Sequence, residues 1–237
     1  MTIKLISRKL KIKLTSRVLK ILIRFGVMPA DSILLYDDKC FSWHSGFGPL
    51  ALVLYGLVRS TRPEVVVEIG SAYGLSTCFI AAALQRNNHG KLYSIDPHET
   101  TEWNDSGETT ETFAIVQQRL KELKLSKFVE QIRLYSSKAI ASWNTPIDIL
   151  FIDGSHSYED VKNDFFGFLP YVKHGGFVLF HDTTWEYHKD NPYYRSDIGV
   201  PRVVQELQEQ DYPTVTIPEH FGLTILQNYL GGYKLIR

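Results

Sequence analysis

Two short segments hold the side chains best suited to chemistry: Phe151-Ile152-Asp153-Gly154-Ser155-His156-Ser157-Tyr158-Glu159 and Phe180-His181-Asp182-Thr183. Asp153 and Asp182 each stand where a buried apolar run ends, so a parallel sheet would bring both to one rim. Two carboxylates beside a hydroxyl-bearing substrate suit a hard divalent cation such as magnesium. A cation there would lower the hydroxyl's pKa and orient it. His156, three residues beyond Asp153, can take a proton near neutrality. His181 is a third candidate ligand, although histidine is an unusual one for magnesium. Structural roles compete with these readings. Ser157 and Asp160 have capping-box spacing, Asp153 can orient its loop through backbone N–H groups, and His181 can simply pack. Asp148 lies at the wrong end of its strand for a ligand site.

A second constellation precedes these. Val65-Val66-Val67-Glu68-Ile69-Gly70-Ser71-Ala72-Tyr73-Gly74-Leu75-Ser76-Thr77 reads as a buried strand, a glycine turn and a helix start. Gly70 and Gly74 would let the backbone approach a ligand without Cβ clashes. The helix start would aim N–H groups and a positive dipole end at a carboxylate. Glu68 could accept from an ammonium group, so the turn suits the two charges of an amino acid. The spacing is G-x-x-x-G, not the G-x-G-x-x-G of a nicotinamide dinucleotide site. Leu92-Tyr93-Ser94-Ile95 then ends in Asp96, about 26 residues after Gly70. An acid there can take the two ribose hydroxyls of a nucleoside, or act as a turn residue before Pro97. Ser136 and Ser137 either border a base or belong to a turn. The candidate ligand contacts are therefore Glu68, Gly70, Ser71, Tyr73, Gly74, Ser76, Thr77, Asp96, Ser137 and Asp153.

The elements that must position these residues alternate. Strands are expected at Val65–Ile69, Leu92–Ile95, Ile132–Tyr135, Ile147–Ile152 and Phe177–Phe180, with closing strands at Val215–Ile217 and Leu223–Gln227. Helices are expected at Pro49–Val58, Leu75–Leu84, Thr110–Leu123, Tyr158–Val172 and Val200–Gln208. Short apolar strands separated by helices indicate an α/β fold: a doubly wound, mostly parallel sheet covered on both faces. His98–Glu108 and Thr183–Arg195 are long connections of the kind that form lids or binding loops.

The chain has 237 residues, 26 basic and 26 acidic. The first 30 residues carry eight basic side chains and no acid, leaving a net of −8 on the rest. An extended basic patch is thus missing from the chemical portion, which argues against a nucleic-acid partner. Residues 5–25 have helical apolar spacing with Lys and Arg opposite. That helix could lie on an anionic membrane surface, or pack on the domain or on a second subunit of a homo-oligomer. Residues 1–48 are read as this extension and cap, and 49–237 as the chemical domain. Cys40 and Cys78 form no C-x-x-C pair and fit a reducing, cytoplasmic setting, soluble or peripheral at a membrane. No segment reaches the roughly 20 apolar residues that span a bilayer.

Glu68–Thr77, Asp96, Ile152–Glu159 and Gly175–Thr183 together resemble the class I S-adenosylmethionine-dependent methyltransferases. The pairing of D-G-x-H-x-Y-E with G-G-x-x-x-x-H-D is similar to the group of macrocin O-methyltransferases and cephalosporin hydroxylases. The resemblance spans roughly residues 60–205. It implies S-adenosylmethionine as methyl donor and magnesium held by Asp153 and Asp182, with His156 as base. His181 stands where some members have an acid. The resemblance leaves the acceptor open, since Trp185, Tyr187, Tyr193, Tyr194 and Arg195 lie in a stretch that varies with substrate; the expected acceptor is a small-molecule hydroxyl, sugar or phenolic. A hydroxylase-like relative, or a non-catalytic cofactor-binding scaffold, are the alternatives on the same fold.

Overall fold

The computed structural model describes residues 47–99, 112–191 and 194–229. A 3-10 turn, Gly48–Leu50, leads into helix α1 (Ala51–Thr61). Then follow β1 (Val65–Ile69), α2 (Leu75–Asn87), β2 (Lys91–Ile95), α3 (Thr112–Glu122), β3 (Val129–Ile132), α4 (Ser136–Ser142) and β4 (Ile147–Ile152). The chain continues through α5 (Tyr158–Phe168), β5 (Val172–His181), α6 (Val200–Glu209), β6 (Thr214–Ile217) and β7 (Leu223–Gln227).

The strands form one sheet in the order β3-β2-β1-β4-β5-β7-β6. The first five are parallel, and β7 runs antiparallel to both β5 and β6. The expected fold class is therefore the one observed. Side chains alternate across the pleat, so each strand feeds two cores. Val66, Ile149, Phe151 and Leu179 join α1, α2 and α3 on one face. Val67, Ile69, Leu150, Ile152, Val178 and Phe180 join α4, α5 and α6 on the other. Helix α2 is buried nearly all round, Cys78 included. Helix α6 shows a clean stripe, burying Val200, Val203, Val204 and Leu207.

The strand order reverses between β1 and β4. Their carboxyl ends part there to open a crevice, the place where open α/β sheets take ligands. At the opposite end, Asp148 accepts from the N–H groups of Glu64 and Val65 (2.9 and 2.8 Å) and pairs with Lys173 (2.8 Å). It ties strand starts together, as its position implied.

Several boundaries differ from the sequence expectation. The third strand is Val129–Ile132, not Ile132–Tyr135. Register with β2 pairs Leu92 with Val129 and Ile95 with Ile132, and Leu134 and Tyr135 project outward. Ser136 and Ser137 open α4 rather than forming a loop. Helix α5 stops at Phe168, because Pro170 in the following 3-10 turn has no N–H to give the ladder. Strand β5 begins five residues early, at Val172, and runs through Gly175-Gly176 with an irregular register against β4. The expected helix at Pro49–Val58 is shifted to Ala51–Thr61. The basic segment 5–25, Cys40 and most of His98–Glu108 lie outside the described residues. Among the described residues, no helix is long and apolar enough to cross a membrane.

Candidate active site

Glu68 ends up wholly buried at the carboxyl end of β1. Its Oε2 accepts from Thr77 Oγ1 (2.6 Å) and Ser94 Oγ (2.8 Å), while Oε1 is buried with no partner among the described residues. Burial pushes its carboxyl up to about 7, against the hydroxyls of Ser76, Thr77 and Ser94, which hold it down. An orphaned buried carboxylate oxygen beneath a helix start is an acceptor awaiting a donor. Ser94 was not singled out in the sequence, yet register places it directly opposite Glu68.

The glycine turn is held from the side by Asp96. Its Oδ2 accepts from the N–H groups of Ser71 (2.8 Å) and Ala72 (2.9 Å), and its Oδ1 from that of His98 (2.6 Å). The turn reading of Asp96 is the one these bonds display. The residue shapes the turn, and Oδ1 keeps capacity for a further donor. His98 also sits within reach of Ser71 Oγ (3.4 Å) and Thr112 Oγ1 (2.9 Å), so it fastens the turn to α3. Tyr73 is tied to the same helix, its carbonyl accepting from Arg119.

The glycines also have a structural purpose that the sequence did not announce. A Cβ on Gly70 would lie 2.0 Å from the carbonyl oxygen of Asp153. A Cβ on Gly74 would press on Val116 at 3.0 Å. Their bareness lets protein approach protein. The N–H of Asp153 donates to the Ile69 carbonyl (2.8 Å), closing the same contact. Ser76 and Thr77 are buried in the first turn of α2, and Ser137 is exposed at the start of α4.

On the far side of that contact lies an acid–imidazole cluster. His181 Nδ1 is 2.9 Å from Asp153 Oδ1 and 3.3 Å from Asp182 Oδ2. Its Nε2 donates to the His220 carbonyl (2.9 Å), which fixes the ring's orientation. Phe47 packs edge-on against the ring, with centroids 4.9 Å apart. Burial works to lower the pKa of His181, but the charges and hydrogen bonds of Asp182 and Asp153 outweigh it and hold it well above the usual imidazole range. Burial likewise works to raise Asp182, and the neighbouring His181 and His156 rings override it, so its carboxyl falls below the usual range. His156 Nε2 stands 3.0 Å from Asp182 Oδ2. Asp182 adopts a left-handed backbone (φ +60°), which an aspartate tolerates better than most residues. That conformation ends β5 and lets one carboxylate serve two imidazoles.

Asp153, His181 and Asp182 each offer a ligand atom, all within 4.8 Å of one another. This donor set fits a divalent cation. The imidazolium of His181 now supplies positive charge between the half-buried Asp153 and the buried Asp182, and a cation would supply it with His181 neutral. The loop is also a helix start, as expected. Ser157 Oγ accepts from the Asp160 N–H (3.2 Å) and donates to its carboxylate (2.8 Å).

Of the stretch expected to meet an acceptor, Trp185, Tyr187, Tyr194 and Arg195 share the wall of one cavity. Tyr193 lies outside the described residues. His220, whose contribution is a carbonyl, gave no signal in the sequence.

This sheet order, the crevice between β1 and β4, and the acid after β2 define a class I methyltransferase domain. Residues 67–183 match the family Methyltransf_24, described as a methyltransferase domain. The chain thus carries a methyltransferase domain over these residues, on the fold of the class I S-adenosylmethionine-dependent enzymes. An uncharacterized protein, y4gI, of Sinorhizobium fredii is 25% identical over 197 residues. That match takes in 78% of this chain but only 21% of the relative, so the chain spans about a fifth of its length. Among solved structures, the O-methyltransferase TomG of Streptomyces achromogenes, in complex with S-adenosylmethionine, is 20% identical with a TM-score of 0.57. It covers 76% of this chain and 80% of its own. A putative caffeoyl-CoA O-methyltransferase from Staphylococcus aureus is 17% identical, with a TM-score of 0.63 and coverage of 91% and 99%. At these identities the likeness is one of fold.

Proposed function

We propose that this protein transfers the methyl group of S-adenosylmethionine to a hydroxyl of a small molecule, sugar or phenolic, assisted by a divalent cation. The observation that carries the reading is the shared carboxylate of Asp182. It joins His156 (3.0 Å) to the Asp153–His181–Asp182 donor set, on the rim that adjoins the cofactor crevice.

The chain's own groups divide the work. Glu68 and the first turn of α2 face the amino-acid end of the donor, and Asp96 the ribose. Asp153, His181 and Asp182 would hold the cation, magnesium or a related divalent ion, which would lower the pKa of the acceptor hydroxyl and orient it. With Nε2–H held by Asp182, the other ring nitrogen of His156 is the basic one, and it takes the hydroxyl proton. Asp182 then steadies the imidazolium formed. The freed oxygen displaces the sulfonium methyl in line, its lone pair forming the new C–O bond as the old bonding pair stays on sulfur. Positioning contributes most of the acceleration.

Calorimetric titration with S-adenosylhomocysteine, with and without magnesium or manganese, tests this directly. Binding is expected in both conditions, with a separate metal heat that Asp153→Asn abolishes. His156→Ala should leave S-adenosylhomocysteine affinity unchanged and lower turnover at least a hundredfold on an identified acceptor. Unchanged turnover would remove His156 as the base, and failure to bind S-adenosylhomocysteine would remove the cofactor reading.

A further inference from the structure

The donor set on the reaction rim is not the one magnesium takes by preference. Magnesium is a hard ion, held by oxygen and reluctant to give up its waters. Here one of the three donors is a ring nitrogen, that of His181, set between two carboxylates. Imidazole suits the later first-row ions, iron, cobalt, nickel and zinc, whose affinity for such mixed sites exceeds that of manganese.

The backbone turns that nitrogen towards the acids. Nε2 is engaged by the His220 carbonyl (2.9 Å), so Nδ1 faces Asp153 Oδ1 (2.9 Å) and Asp182 Oδ2 (3.3 Å). Three successive left-handed residues aim the carbonyl: His220, Phe221 and Gly222, with φ of +51°, +66° and +94°. For a side chain as bulky as Phe221 that backbone is an outlier, and such strain persists where surrounding contacts impose it. The corner is pinned to the end of β5, the N–H of Thr184 donating to the Phe221 carbonyl (2.8 Å). The His220 ring lies against Gly48, where a Cβ would meet its Nδ1 at 3.1 Å. Phe47, the neighbour of Gly48, packs edge-on against His181 itself.

These supports are the ones a metal ligand has. Metal-bound histidines donate their second ring N–H to a carbonyl or carboxylate, and metal-bound carboxylates are themselves hydrogen-bonded. The His220 carbonyl stands behind His181, and His156 Nε2 lies 3.0 Å from Asp182 Oδ2. Burial is uneven across the cluster. The side chains of His181 and Asp182 are each 5% exposed, whereas Asp153 at 17% and His156 at 22% face the rim. The nitrogen is thus on the closed side, away from competing water.

We propose that His181, oriented by the His220 carbonyl, makes this rim selective for a late first-row divalent ion, of the iron, cobalt or zinc kind, over magnesium. The inference rests on the reading that Asp153, His181 and Asp182 hold a cation, and it departs from the magnesium that the sequence resemblance implies. Calorimetric titration of cobalt(II) and of magnesium into the full chain, loaded with S-adenosylhomocysteine, measures the ratio of their dissociation constants. Cobalt should bind more tightly. Oxygen-only sites also favour cobalt to a degree, so the change in the ratio on substitution decides the matter. His181→Asp puts oxygen in place of nitrogen and should shrink cobalt's advantage by about tenfold or more. Proton NMR of the cobalt-loaded wild type adds a signature that a merely structural histidine would not give. One strongly shifted ring N–H resonance is expected from His181, lost in deuterium oxide and absent from both His181→Asp and Asp153→Asn. Should His181→Asp fail to fold, read as loss of S-adenosylhomocysteine binding, His181→Asn supplies an oxygen without added charge. Tighter binding of magnesium, an advantage of cobalt unmoved by the substitutions, or bound cobalt with no shifted N–H overturns the selectivity and leaves cation binding standing. Cobalt held as tightly by Asp153→Asn sits on other histidines and also overturns it. Failure of both ions to bind the wild type fails the cation reading itself, and the proposal with it.

Discussion

Glu68→Gln should make the protein more stable and a poorer cofactor binder at once. Glu68 is fully buried, one of its oxygens has no partner, and its carboxyl is raised from 4.5 to about 7. A carboxyl whose folded-state pKa is raised favours folding while protonated. That contribution is complete below pH 4.5 and is lost as pH rises through about 7. Relative to low pH, stability is then lower by about 1 kcal/mol at pH 5, where only the unfolded state ionises, and by about 3 kcal/mol at pH 8. Glutamine keeps an oxygen for the hydroxyls of Thr77 and Ser94 and never ionises. Its stabilising effect over wild type should therefore grow by about 2 kcal/mol between these pH values. Asp164 is also raised to about 7 by burial, so both proteins lose stability over this range. Its effect cancels in the difference. Urea unfolding of the cofactor-free proteins at pH 5, 6.5 and 8 measures that difference, and calorimetry at pH 8 measures the loss of S-adenosylhomocysteine affinity, expected to be at least tenfold. Parallel pH profiles for the two proteins would refute the buried, uncompensated carboxylate. Unchanged affinity would refute its pairing with the ligand's ammonium group.

Asp182→Asn removes the charge shared by His156 and His181 and should destabilise the fold by about 3 kcal/mol, read by urea unfolding at pH 7. A change below about 1 kcal/mol would mean the cluster is not ionised as described. Gly70→Ala forces a Cβ to within 2.0 Å of the Asp153 carbonyl at a φ of +87°, and soluble expression or the thermal midpoint should collapse. A midpoint within a few degrees of wild type would show that the two loops part freely. Asp96→Ala deprives Ser71 and Ala72 of their N–H acceptor and should weaken S-adenosylhomocysteine binding more than tenfold by calorimetry, while an unaltered affinity would remove both its turn-shaping and ribose roles.

The fold was legible because its strands are short β-branched or apolar runs with one dominant period. Val65–Ile69 and Leu223–Gln227 fell on the expected residues. The third strand did not, since Val129-Glu130-Gln131-Ile132 is half polar at the sheet's edge, and the apolar Leu134 and Tyr135 drew the reading outward. Asp153, Asp182, His181 and His156 were recognisable from their places after buried strands, and the fold brings them together. The hidden parts were those that act through geometry across the sheet. Ser94 matters through register, and His220 through a backbone carbonyl, which no residue type announces. The work of Gly70 was legible as a need for bareness, but what that bareness admits is visible only with the second loop in place.

That crossing of Gly70 beneath Asp153 makes a gauge block of the two loops. The distance from the methyl donor's berth to the proton-handling rim is set by backbone lying on backbone, with the Ile69 carbonyl pinned to the N–H of Asp153 (2.8 Å). Side-chain exchange cannot reset it. The cavity wall that Trp185, Tyr194, Gln205 and Thr216 share, built on separate elements, stands outside that block. A lineage, or an engineer, can thus vary that wall while the spacing of the two loops is inherited intact.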